Sequence, residues 1–115
     1  MAKTDIDITA VRGDTIALGV ELLDEDGELI TDDLDEAYFS CKEDPNNDEY
    51  VFQKTLSDGI TKVSTGNYTI RVAPEDTENL DVGTFFYDLE IHINDDVYTP
   101  LIGKLKLEQD ITREA

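Results

Sequence analysis

With one cysteine, one histidine and no tryptophan, this chain of 115 residues has few of the side chains from which most catalytic and metal centres are built. A lone Cys41 excludes an internal disulfide and a structural zinc site made of several thiolates. In the run Ala37-Tyr38-Phe39-Ser40-Cys41 it falls on the side of Ala37 and Phe39, which makes it a small buried hydrophobe. A nucleophilic thiol would need a base beside it. The one histidine, His92, lies between Ile91 and Ile93 and faces the other side of its strand. The chain also lacks a glycine-rich phosphate loop, a histidine-rich cluster and a Ser–His–Asp set at a recognisable spacing. A non-enzymatic protein that needs no cofactor is the expectation.

Positive charge is the next scarcity. Nine Lys and Arg face 28 Asp and Glu, for a formal net charge of −19. Affinity for phosphate backbones comes from clustered cations, so nucleic acid is not an expected partner. Anionic membrane surfaces are disfavoured for the same reason. No apolar run approaches the roughly 18 residues that cross a bilayer. Met1-Ala2-Lys3-Thr4-Asp5-Ile6 carries no apolar leader core, so synthesis and folding in the cytoplasm are expected.

What is abundant is acid and alternation. Between Glu21 and Glu49 there are thirteen acids and one base, Lys42. Much of this charge falls in turns such as Asp24-Glu25-Asp26-Gly27-Glu28, where it keeps sheet edges soluble. The apolar residues recur with period two, as in Ile16-Ala17-Leu18-Gly19-Val20-Glu21-Leu22 and Tyr68-Thr69-Ile70-Arg71-Val72. The clearest stripe is Phe85, Tyr87, Leu89, Ile91 and Ile93, with Asp88, Glu90 and His92 opposite. A one-residue slip there would bury two carboxylates, so the register is well specified.

Asp26-Gly27 and Asp58-Gly59 read as tight turns, and Asn94-Asp95-Asp96 as the close of a hairpin. About eight strands follow, near 6–10, 15–23, 37–42, 50–56, 60–63, 67–72, 84–94 and 97–108. Gly103 marks a bulge in the last of them. Ala73-Pro74-Glu75-Asp76-Thr77-Glu78-Asn79-Leu80 breaks the alternation and reads as one helical turn near 74–80. Pro74 suits the first helical position, the two acids after it suit the positive end of the helix dipole, and Leu80 plugs into the core. One domain over residues 1–115 is expected. It is all-β, an immunoglobulin-like antiparallel sandwich of about seven to eight strands, with a corner helix before an aromatic-bearing strand.

Several short patterns are weighed against duller readings. Arg12-Gly13-Asp14 spells an integrin-binding tripeptide, but it also reads as a turn feeding the strand from Thr15. Asn67-Tyr68-Thr69 matches a glycosylation sequon inside a strand. Asp44-Pro45-Asn46-Asn47-Asp48 offers oxygens at alternate positions, yet Glu49 stands where a calcium loop needs glycine; an irregular Ca²⁺ site stays open. Exposed aromatics suited to contact with a partner are Tyr38, Tyr50 and Tyr98.

The stretch Gly66–Leu80, then Gly83 and Tyr87-Asp88-Leu89-Glu90-Ile91, together with Arg12-Gly13-Asp14-Thr15 near the start, resembles a known family. It is similar to small domains encoded among the structural genes of tailed phages and prophages, in particular the N-terminal immunoglobulin-like domain of phage baseplate upper proteins. The resemblance spans about Ile8 to Leu107. It implies a phage or prophage virion component, associated with baseplate or tail, that binds other virion proteins or itself. Two alternatives stand beside it. One is a host-surface or carbohydrate recognition module, using the tyrosines as stacking platforms. The other is an acidic inhibitor that mimics DNA, for which Asp88 and Glu90 begin a row that His92 interrupts.

Overall fold

Alternation every second residue dictates strands, and strands are what the computed structural model, which describes residues 3–111, is made of. Nine are formed: β1 (Thr4–Asp5), β2 (Ile8–Val11), β3 (Ile16–Glu21), β4 (Glu36–Lys42), β5 (Phe52–Leu56), β6 (Gly59–Ser64), β7 (Asn67–Val72), β8 (Gly83–Ile93) and β9 (Asp96–Glu108). The all-β expectation holds, with one short helix, α1 (Pro74–Thr77). Hydrogen bonds link the strands in the order β1-β9-β8-β4-β5-β6-β7-β3, with β2 also on β9.

The sheet is mixed, which corrects the purely antiparallel expectation. β1 and β2 both run parallel to β9, and β5 runs parallel to β6. The second of these departs from the tight-turn reading of Asp58-Gly59. Thr55 and Asp58 exchange backbone hydrogen bonds at 3.0 and 2.9 Å, and Ser57 N–H donates to the Ile60 carbonyl. Positive φ at Ser57 (67°) and Gly59 (104°) lets the chain loop once and continue in the same direction. A hairpin does form at Asn94-Asp95, where φ of 48° and 73° at successive residues suits the right-handed twist of β8 and β9.

The curled sheet encloses one core. Phe39, Cys41, Phe85, Tyr87, Leu89 and Ile91 pack with Ile16, Ile60, Ile70, Val72, Leu105 and Leu107. These are the inward sets of the alternating strands, so the register read from β8 is the register found. Leu80 packs against the core as expected, and one expectation, the bulge at Gly103, changes. Thr77, not Leu80, is the fully buried residue of the helical turn, and its Oγ1 accepts a hydrogen bond from Gly13 N–H at 2.9 Å. Leu80 is half-buried against the core. The irregularity in β9 lies between Tyr98 and Leu101, opposite Leu89–Ile91, where Pro100 has no N–H to give the ladder. Gly103 keeps regular register with Tyr87. It is glycine because the Ile6 backbone crosses directly over it.

Candidate functional site

Side chains on the outer face of β5, β4, β8 and β9 come from the polar half of each alternation. Register sets them in lateral rows. Lys42, Phe86 and Lys104 form one row, and Gln53, Ser40, Asp88 and Ile102 the next. Thr55, Tyr38 and Glu90 follow, and then Glu36 with His92. Together with Tyr50 and the acids Asp5 and Asp7 of the N-terminal segment, most of these line an open depression of about 850 Å³.

The middle of that face is an acid with little support. Asp88 is half-buried, and among the described residues it makes no hydrogen bond or ion pair. Its burial, and then Glu90 beside it, push its carboxyl above the ordinary value, with Lys42 pulling the other way. Glu90 is better held, with Oε1 2.9 Å from His92 Nε2. Tyr38 Oη donates to Glu36 Oε2 at 2.6 Å, and this bond, followed by burial, raises the phenol pKa. The Tyr38 ring meets His92 edge-on at 5.6 Å.

Two aromatic rings line the same depression as the acid, and each already carries a lysine. Lys42 Nζ lies 5.1 Å from the Tyr50 ring centre, and Lys104 Nζ 6.0 Å from that of Phe86. Tyr50 is 51% exposed, more than any other aromatic of the described chain.

Of the tyrosines picked out from sequence, Tyr38 and Tyr50 meet in this depression. Tyr98 does not: it is half-buried and lines a separate pocket with Asp24, Asp26, Asp32 and Asp96. The sequence reading missed Phe86, an apolar residue on the polar face of β8. Its signal was present, since it stands out of phase with the Phe85–Ile93 stripe.

The remaining patterns are absorbed locally. Arg12 donates from Nε and Nη2 to Asp110 Oδ1 at 3.0 and 2.9 Å and from Nη1 to the Leu80 carbonyl at 3.0 Å, so the tripeptide's arginine is engaged. Asp44 and Asn47 spend side-chain oxygens on the N–H groups of Asn46 and Glu49 in their own loop. Among the described residues no three His, Cys, Asp or Glu gather as a metal set. Asn67 Nδ2 donates to Ser64 Oγ and the Thr65 carbonyl. Cys41 is fully buried, its thiol pushed up to about 12 by burial, and it lies across the sheet from His92.

No protein-family model matches the chain, and no curated protein matches it either.

Proposed function

We propose that the chain is a non-enzymatic protein-interaction module, an immunoglobulin-like domain that binds through the outer face of β5, β4, β8 and β9. The observation that carries this reading is the half-buried Asp88, without a hydrogen bond or ion pair among the described residues, sharing an open sheet face with Phe86 and Tyr50. A desolvated carboxylate without a partner costs stability in the isolated domain, and a cation from a partner offsets that cost. Aromatic anchors around a charged centre are the composition of interface hot spots. The immunoglobulin-like part of the reading draws on strand order: β9-β8-β4-β5 in one half, β6-β7-β3 in the other, and a corner helix leading into β8.

The partner class follows from the resemblance to baseplate domains: another structural protein of a phage particle, or a second copy. Glycan recognition is less well supported, because one face of Tyr50 and one of Phe86 are taken by lysines. DNA mimicry is weaker still, since Lys42 and Lys104 interrupt the acids of this face.

A photo-crosslinking residue at position 86, with the exposed Thr61 as control position, tests the reading in the native cells. Adducts to a virion structural protein, or to the chain itself, formed from position 86 and absent from 61 are expected. The same adducts from both positions, or none from 86, would sink it.

A further inference from the structure

We propose that the open edge of β3 is a second binding surface, one that takes an extended segment of another protein as an added strand. The proposal rests on the protein-binding reading above but uses a different part of the molecule.

β3 ends the hydrogen-bonded path, with β7 on one side and, among the described residues, no strand on the other. The direction of its backbone groups follows from register. Leu22 N–H donates to the Gly66 carbonyl at 2.8 Å, in the same register that pairs Val20 with Tyr68, Leu18 with Ile70 and Ile16 with Val72. In an antiparallel ladder every second pair exchanges both bonds. Ile16, Leu18 and Val20 therefore turn their N–H and C=O groups toward β7, and Ala17, Gly19 and Glu21 turn theirs outward. Among the described residues, these three positions of strand edge have no ladder partner.

Natural sheets blunt such edges with lysine, proline or bulges. Ile16–Glu21 contains no lysine, proline or bulge, and a β-carbon added at Gly19 would meet nothing within 4 Å. Beside this edge runs a groove of about 180 Å³, between β3 and the N-terminal strands, lined by Ile6, Ile8, Leu18, Val20 and Leu101. Ile6 is 49% exposed there. Unpaired backbone calls for an extended occupant, and the groove calls for apolar side chains at every second position. The other positions of the occupant face Glu21 and a chain of net charge −19, which calls for lysine or arginine and disfavours a second copy of this acidic chain.

The test uses two seven-residue synthetic peptides that alternate valine with lysine, one of them N-methylated at every second amide. Fluorescence anisotropy measures binding, and amide hydrogen exchange reports on β3. The plain peptide should bind and slow exchange at Ala17, Gly19 and Glu21, and the methylated one should not. Gly19→Ala should bind as the parent does. Gly19→Pro removes only an outward N–H, so the fold should persist while binding weakens about tenfold or more, the loss of one such bond. The proposal is overturned if the plain peptide does not bind, if the methylated peptide binds equally well, or if β3 amides stay unprotected. Should Gly19→Pro fail to fold, the peptide pair alone decides. Unchanged crosslinking from position 86 in either case separates failure here from failure of the open-face reading.

Discussion

The backbone of Ile6 crosses over Gly103 so closely that a β-carbon on Gly103 would overlap the Ile6 carbonyl, whose oxygen accepts a hydrogen bond from Tyr87 Oη. Ile6 N–H in turn donates to the Ile102 carbonyl at 3.0 Å. The N-terminal segment is thus fastened to β9 at the point where it passes from β1 to β2. The same fastening sets one wall of the groove beside β3 and brings Asp5 and Asp7 to the depression over β8.

Gly103→Ala should destabilise the domain by about 2–3 kcal/mol, because the atom in the way is backbone and cannot swing aside. Gly19→Ala, where the space is open, should change stability by less than about 0.5 kcal/mol. Urea unfolding of the two variants checks the contrast. Equal effects would mean that the crossing at Ile6 is not fixed.

Arg12→Ala should cost about 1.5–3 kcal/mol, since a half-buried guanidinium with three hydrogen bonds joins the turn before β3 to the Leu80 corner and to Asp110. Arg12→Lys should recover only part of this, as an ammonium cannot reproduce the two-nitrogen contact. Thermal melts of both variants measure it.

Asp88→Asn should stabilise the isolated domain at neutral pH, by no more than about 1 kcal/mol because the group is half in solvent. Asp88 has its folded pKa raised, so the folded state holds the extra proton and stability falls as pH rises through that pKa. The gain from Asn should therefore fade as pH is lowered to the ordinary carboxylate value. The same variant should weaken capture of the partner, which separates a binding residue from a structural one. Melting curves from pH 3 to 8 and a binding assay at pH 7 give both readouts.

Cys41 should resist thiol reagents in the folded protein and react at once in denaturant, because it is fully buried and its thiol is pushed up to about 12. Cys41→Ser should cost about 1–3 kcal/mol by placing a hydroxyl among Phe39, Phe52 and Tyr87. A time course with a chromogenic disulfide reagent, with and without denaturant, decides the first point.

Period-two alternation was enough to locate β3, β4, β7 and β8 and to assign their inward residues, because side chains on a strand alternate by geometry alone. It also placed Cys41 and His92 on opposite faces. The hairpin at Asn94-Asp95 was legible for a similar reason, since those residues tolerate positive φ. What alternation cannot encode is which strands become neighbours. The parallel seating of β1 and β2 on β9, the loop that carries β5 into β6, and the unpaired edge of β3 all depend on contacts between residues far apart in the chain. Tyr38, Tyr50 and Tyr98 are alike in sequence as candidate exposed aromatics, but the fold gathers the first two with Phe86 and Asp88 and leaves Tyr98 in a separate pocket. Gly103 shows the division most simply. A glycine in a strand could be read from the sequence, but that Ile6 runs over it was decided by chain crossing, where close packing leaves no room for a side chain.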